Sequence, residues 1–172
     1  MMPDRVKELA AMQRRKGGPK FGNDGMVPAK HHAAVRSAIE IAWRLGTYPA
    51  FVEAFRDTVA RLSGRSASED VYATALNKMI VNCADTARKP QIVNALKVDK
   101  ATAKKDRLYR QTPAYSLVDG ADIWICEWQL RNGDRSIAGS IIHEASHLVG
   151  APNNLLAEMA IDRIHNVAGI PR

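Results

Sequence analysis

The sequence predicts an α+β domain that is mainly helical, with a small antiparallel sheet placed just before a helix near its C-terminal end. Apolar residues recur every three or four positions through much of the chain, which is the period of helices with one buried face. Two β-rich runs, residues 114–118 and 121–126, flank Asp119-Gly120, a pattern typical of a β-hairpin. A composition of 46% hydrophobic and 25% charged residues is that of a globular protein.

The N-terminal arm, residues 1–25, is expected to be basic and flexible. Residues 1–12 have apolar positions at helical spacing, but residues 16–25 contain four glycines and one proline, which interrupt regular structure. Residues 26–172 are then expected to form a single domain, because a chain of 172 residues is of ordinary size for one hydrophobic core.

Three packing helices are predicted between this arm and the middle of the chain. They cover about residues 28–45, 47–64 and 66–79, and a capping box at Ser66 and Glu69 is expected to open the third. No chemistry is expected in these helices, which supply apolar faces to the core.

The middle of the chain has weaker signals. Residues 83–90 are predicted to form a turn region, and residues 91–105 are helical by propensity but heavily charged at their end. The hairpin that follows is expected to have a two-residue type I′ turn at Asp119-Gly120.

A helix over residues 136–149 carries the pattern of greatest chemical interest. It contains His143-Glu144-Ala145-Ser146-His147, and two imidazoles four residues apart lie on one helix face. That spacing lets both bind one zinc ion, while the glutamate reaches the metal-bound water. Glu144 is the only charged residue between Arg135 and Glu158, so the polar groups of this apolar helix need partners, and zinc is the expected one.

A second helix, over about residues 155–167, follows a chain reversal and is expected to supply the third zinc ligand. Glu158, Asp162 and His165 share one of its faces. The opposite face is apolar and is expected to pack on the core through Leu156, Ala160, Ile164 and Val167.

An H-E-x-x-H helix followed closely by acidic residues resembles the zincin metallopeptidases. Glu158 and Asp162 match the E-x-x-x-D pattern of thermolysin-like gluzincins, in which the Glu binds zinc and the Asp hydrogen-bonds a ligand His. The gap of 11 residues between His147 and Glu158, with the I-x-I-C run at residues 123–126, resembles the aspzincins, the deuterolysin and lysine-specific metalloendopeptidase group. The metzincin pattern fails at Asn153, where a third His would stand.

The resemblance implies a zinc-dependent metallopeptidase whose substrate is a protein or peptide. His143, His147 and Glu158 are the expected zinc ligands, and Asp162 is expected to hydrogen-bond a ligand or to exchange roles with Glu158. Glu144 is the expected general base, taking a proton from the zinc-activated water and delivering it to the leaving amine.

Two further roles are assigned outside the H-E-x-x-H pattern. Electrostatic stabilisation of the tetrahedral intermediate is expected from His165, Tyr115 or Tyr109. Zincins hold an extended peptide against an edge strand, so the hairpin is the candidate substrate-binding element. Its expected substrate-binding residues are Ile123, Trp124 and Ile125. Because alternate residues of a strand face opposite ways, the two isoleucines are also expected to face the core and the tryptophan the other side.

The formal charge of +7 comes chiefly from the N-terminal arm and from residues 88–110. No aromatic-interleaved or helix-turn-helix pattern accompanies it, so nucleic-acid binding is the weaker alternative. A second alternative is a non-catalytic, zinc-stabilised protein-binding module. Cys83 and Cys126 are too few for a disulfide framework, and the sequence leaves open whether they pair with each other.

Targeting signals are absent from the sequence as given. No apolar run is long enough to span a membrane, and residues 1–18 lack the apolar segment of a secretory signal. The protein is therefore expected in the cytoplasm or exported by a signal-independent route, and a delivered effector or toxin domain is one hypothesis. Oligomeric state, substrate specificity and whether the chain is a fragment of a larger protein stay open.

Overall fold

The computed structural model describes residues 2–23, 26–84 and 112–171. Its helices are α1 (Pro3–Arg14), α2 (His32–Leu45), α3 (Pro49–Ser63), α4 (Val71–Lys78), α5 (Glu127–Leu130), α6 (Asp134–Leu148) and α7 (Leu155–Ala168), with a 3-10 turn at Ala29–His31. Its strands are β1 (Lys20–Phe21), β2 (Ile80–Ala84), β3 (Ala114–Ser116) and β4 (Asp122–Cys126). The predictions for residues 91–105, for the basic segment 88–110 and for Tyr109 lie outside the described residues.

The predicted α+β class is confirmed, with helices around one small sheet. The four described strands lie in the order β1-β2-β4-β3. β1 and β4 run parallel to β2, whereas β3 pairs antiparallel with β4. The sheet is therefore mixed, and the predicted antiparallel hairpin is its outer part.

Strand β2 was missed in the sequence, where residues 80–82 were given no element and residues 83–84 were placed in a turn region. A parallel strand covered on both faces reads as a continuous apolar run without alternation, and Ile80–Ala84 is such a run. Its only strongly polar side chain is Asn82, whose buried amide donates to Asp122 Oδ1 at 3.0 Å and to the carbonyl of Ile123 at 3.1 Å. Periodicity alone cannot separate this pattern from a buried helix segment.

The connection between β3 and β4 differs from the predicted type I′ turn. It spans residues 117–121, with the carbonyl of Leu117 accepting from Gly120 N at 2.9 Å. Asp119 has φ of +61°, but Gly120 is not in the left-handed region. Because a type I′ turn needs positive φ at both central residues, the structure uses a longer loop instead.

Helix α6 lies against one face of the sheet and joins it to the helical layer. Side chains of β2 and β4 on this face, such as Ile123 and Ile125, belong to the same buried cluster as Ile137 and Ile141 of α6. Trp124 belongs instead to a smaller cluster on the other face. The predicted alternation along β4 is therefore confirmed, and it fixes which strand residues face the H-E-x-x-H helix.

The N-terminal segment, which was expected to be a flexible arm, is packed on the rest of the fold. Val6 and Ala10 of α1 are buried in contact with the core, and the Gln13 amide donates to Asp70 at 2.7 Å. β1 then adds a short parallel strand to the sheet. The glycines near β1 permit this close approach: a Cβ on Gly18 would lie 1.9 Å from the carbonyl oxygen of Asn77.

The predicted start of the third packing helix is wrong by one turn. α4 begins at Val71, after Asp70, rather than at the box formed by Ser66 and Glu69. Ser68 donates through its hydroxyl to Asp70 at 2.8 Å, and its carbonyl accepts from Val71 N at 3.2 Å. These local hydrogen bonds hold the preceding residues in a turn, which competes with helix formation.

The two cysteines are buried, and neither forms a disulfide. Cys83 pairs in register with Ile125, and Cys126 with Ala84, so neighbouring strands direct the two thiols to opposite faces of the sheet. That geometry excludes the pairing left open by the sequence. In the described ranges, no helix combines the length and apolarity needed to cross a bilayer.

Candidate metal centre

The H-E-x-x-H residues lie in the last turns of α6, as predicted. His143 and His147 are separated by one helical turn, and their Nε2 atoms are 3.3 Å apart. Both rings point towards the N-terminal turn of α7. Two ligand nitrogens are thereby presented from one rigid helix.

The chain reversal after α6 brings in a third ligand group. Gly150 has φ of +113°, and the side chain of Asn154 caps α7 by accepting from Ala157 N at 3.0 Å. One helical position later, Glu158 contacts the two imidazoles, with Oε2 3.1 Å from Nε2 of His143 and Oε1 3.3 Å from Nε2 of His147.

Together these three side chains form a compact donor set. Each offers one atom to a group in which all ligand atoms lie within 4.8 Å of one another. Among the described residues, these three side chains are the one set of potential metal ligands that meets this distance. Two imidazole nitrogens and one carboxylate oxygen are the protein donors of one type of catalytic zinc site, in which water takes the fourth position.

A hydrogen bond fixes the tautomer that such a site needs. His147 Nδ1 donates to the carbonyl of Ala151 at 2.8 Å, so in the neutral imidazole Nε2 is the nitrogen left free to bind a metal. Ligand histidines in metal sites are commonly oriented in this way. A main-chain carbonyl therefore takes, for His147, the orienting role that the sequence assigned to Asp162.

The charges of the three groups are strongly coupled. Burial by itself would raise the pKa of Glu158, but hydrogen bonds from His143 and His147 outweigh it and hold the pKa far below its ordinary value. Burial would likewise lower the pKa of His147, yet the contact with Glu158 and the nearby Glu144 raise it overall. Glu158 therefore stays ionised beside the two imidazoles, and an ionised carboxylate is the form that binds a divalent cation.

Glu144 lies on the sheet side of α6 and is 4% exposed. Its Oε2 accepts a hydrogen bond from the hydroxyl of Ser116, which is itself 5% exposed and ends strand β3. Ser116 is not among the site residues that the sequence predicts. The alternation of β3 contains the signal, since Ala114 and Ser116 share the face that contacts α6 whereas Tyr115 lies on the other.

Helix α7 is rotated relative to the prediction. Of the predicted apolar face, only Ile164 is fully buried, whereas Leu156 is 77% exposed and Val167 is also exposed. The buried stripe consists of Ala157, Ile161, Ile164 and His165. The candidate metal ligands lie inside the interface between α6 and α7, so the face that carries them adjoins the core-facing stripe instead of opposing it.

The remaining predicted residues of α7 fall at different depths. His165 is buried, and its ring centroid lies 5.9 Å from that of His143, so it forms a wall beside the donor set. Asp162 is half-buried one turn after Glu158 and does not belong to the converging ligand group found among the described residues. Glu158 is therefore the third candidate ligand.

The strand predicted to bind substrate is an inner strand. β4 is hydrogen-bonded to β2 on one side and to β3 on the other, and its Ile123, Trp124 and Ile125 side chains are buried. Among the described strands, β3 forms the edge nearest α6. Tyr115, proposed as an intermediate-stabilising donor, points to the face of the sheet opposite Ser116 and packs with Trp124.

Comparisons with known proteins give no assignment: no protein-family model, no curated protein and no solved structure matches this chain.

Proposed function

We propose that this protein is a zinc-dependent metallopeptidase with Glu144 as its general base. The observation that carries the proposal is the convergence of His143, His147 and Glu158 from two helices into one donor set. A buried carboxylate, Glu144, directly follows the first of these ligands. An acid that binds no metal itself but lies next to an H-x-x-x-H pair is what hydrolysis at a zinc site needs.

Each residue has a distinct part in this proposal. A zinc ion held by the three ligands would supply a Lewis acid that acidifies water and polarises a carbonyl group. Glu144 takes the proton of the attacking water and passes it to the leaving amine. The carbonyl of Ala151 keeps His147 in the tautomer that presents Nε2. His165, beside His143, stays the candidate donor to the developing negative charge.

The sheet supports a peptide rather than a small molecule as substrate. β3 is antiparallel to β4 and has one neighbour among the described strands, and it ends at Ser116, which contacts Glu144. An edge strand binds an extended peptide through main-chain hydrogen bonds. The edge strand beside the H-E-x-x-H helix also strengthens the resemblance to zincins, and it moves the proposed substrate contact from β4 to β3.

The test combines zinc content with cleavage. The wild type, Glu144→Gln and His147→Ala are compared by elemental analysis and by hydrolysis of an unfolded protein substrate. We expect about one zinc per chain in the wild type and in Glu144→Gln, with cleavage reduced about 10²- to 10⁴-fold in the latter. His147→Ala is expected to lose both zinc and cleavage.

Two outcomes would contradict the proposal. Stoichiometric zinc without cleavage of any peptide bond in the wild type would favour a non-catalytic, zinc-stabilised binding module. A wild type that takes up no zinc after reconstitution would remove the metal site itself and, with it, the peptidase.

A further inference from the structure

The buried contact between Glu144 and Ser116 links the candidate general base to the sheet. Glu144 belongs to α6, whereas Ser116 is the last residue of β3, 28 positions earlier in the chain. The Ser116 hydroxyl donates to Oε2 of Glu144, and both side chains are at least nine-tenths buried. A hydroxyl that donates to a buried carboxylate forms a strong, charge-assisted hydrogen bond.

A second contact fastens the same hairpin to the same helix. Asp119, in the loop after β3, donates its main-chain N–H to the carbonyl of His147 at 3.0 Å. Arg65 in turn donates to Asp119 Oδ1 at 2.8 Å. Ser116 and Asp119 thus contact Glu144 and His147, which are also three residues apart. These two hydrogen bonds, equally spaced on both segments, fix the position of β3 and its loop along α6.

We propose that Ser116 is a positioning residue for Glu144. The inference rests on the proposed peptidase function and identifies what holds its general base. Glu144 has three side-chain torsions, and the hydrogen bond to Oε2 restricts them while leaving Oε1 to accept the proton of water. Because Ser116 ends the proposed substrate-binding strand, the same hydrogen bond sets the distance between a peptide on β3 and the base that acts on it.

The hydroxyl of Ser116 is suited to positioning Glu144 because it carries no charge. A lysine or arginine at this position would neutralise the carboxylate and compete with water for it. Ser116 supplies one donor without a charge, so Glu144 keeps its capacity to accept a proton. The main chain of Ser116 stays in the pairing with Ile123, which anchors the hydroxyl in the sheet.

The first experiment compares Ser116→Ala with Ser140→Ala. Ser140 is a matched control because it is a buried serine of α6, one turn before Glu144, and its hydroxyl accepts from the Gln129 amide at 3.1 Å. We expect Ser116→Ala to lower kcat about 10- to 100-fold with KM within about twofold of wild type. Ser140→Ala is expected to keep kcat, and both variants are expected to keep their zinc. Ser116→Thr, which restores a hydroxyl on a strand, should recover most of kcat.

The second experiment does not depend on activity. The equilibrium constant for unfolding is measured for wild type, Ser116→Ala, Glu144→Leu and the double variant, since leucine cannot accept the hydrogen bond. We expect Ser116→Ala to change this constant about 10- to 100-fold more in the wild-type background than in Glu144→Leu.

The outcomes separate this inference from the proposed function. Cleavage by the wild type with equal kcat in Ser116→Ala and Ser140→Ala would overturn the positioning role while the peptidase stands. Additive effects of Ser116→Ala and Glu144→Leu would also overturn it, because the hydrogen bond would then be absent in solution. If the wild type binds zinc but cleaves nothing, the proposed function fails, whereas the coupling still decides whether Ser116 holds Glu144.

Discussion

Substitution of Glu158 by alanine gives a quantitative test of the candidate metal centre. Its carboxylate lies 3.1 Å and 3.3 Å from the two histidine nitrogens, so it supplies one of the three candidate ligands. Zinc that binds only the folded state stabilises it by about 4 kcal/mol when the free metal is about 1,000 times Kd. In a chain of 172 residues this corresponds to a rise in Tm of about 8–16 °C.

Loss of a ligand should reduce this rise by a predictable amount. Removing even an outer partner of a metal ligand weakens metal binding by up to about 100-fold, and removing the ligand should cost at least that. At the same zinc concentration the stabilisation of Glu158→Ala then falls to about 1.4 kcal/mol or less, a rise in Tm of at most about 3–6 °C.

The assay is thermal unfolding with and without zinc, after treatment with a chelator. The zinc-induced rise is compared rather than Tm itself, because Glu158 also contacts both histidines in the metal-free protein. Glu127→Ala is the matched control. Glu127 has a side chain 25% exposed, against 23% for Glu158, and it too contacts two groups, Lys30 and Arg131. Its removal should leave the zinc-induced rise unchanged.

Two results would refute this reasoning. A full rise in Glu158→Ala, together with its loss in Asp162→Ala, would transfer the third ligand to Asp162. No rise in the wild type would show that His143, His147 and Glu158 do not bind zinc at all, in which case their contacts are only an ion pair.

Three further predictions concern the fold around the site. Burial alone would raise the pKa of Asp70, but hydrogen bonds including that from Gln13 hold it below its ordinary value of 3.8. Ionised Asp70 therefore stabilises the fold above that pH, and this stability is lost as the pH falls through the lowered pKa. The free energy of unfolding measured in urea should decline more steeply with acid in the wild type than in Asp70→Asn, and parallel declines would contradict this. Gly139→Ala should destabilise by about 1–3 kcal/mol, although alanine favours a helix, because the added Cβ would lie 2.0 Å from the carbonyl oxygen of Pro171; an unchanged urea midpoint would count against this packing. Burial raises the pKa of the Cys126 thiol to about 12, so it should react with a thiol reagent only after unfolding, and rapid labelling of the native protein would contradict its burial.

The parts of the site that the sequence could predict are those set by local geometry. The spacing of His143 and His147 fixes their common face once the segment is helical, so the structure brings their Nε2 atoms together. Position alone likewise restricts the α7 cap to Asn153 or Asn154, and the structure uses Asn154. Glu158 needed one more step, the assumption that the chain reverses and packs back on α6.

The errors arise where a choice depends on the neighbouring element. On α7, both Leu156 and Ala157 begin a plausible apolar stripe, and only the need for Glu158 to face α6 decides between them. In the sheet, nothing in Ile80–Ala84 or in β4 states which strands will be neighbours. A β-hairpin predicted from its turn alone has two free edges. In the structure β2 pairs with β4, which leaves β3 as the outer strand on that side among those described.

Sequence separation explains why Ser116 was the residue missed. The contact between His143 and His147 spans four residues and that between His147 and Glu158 spans 11, but the hydrogen bond from Ser116 to Glu144 spans 28. Its existence depends on three independent choices: the side of α6 that faces the sheet, the order of the strands, and the register of β3 on β4. A serine has no chemical signature that would indicate such a partner in advance, since its hydroxyl satisfies turns, caps and strands equally well. The residue that joins the base to the edge strand is therefore found only after the sheet is assembled, and the Ser116 variants test that assembly as directly as they test catalysis.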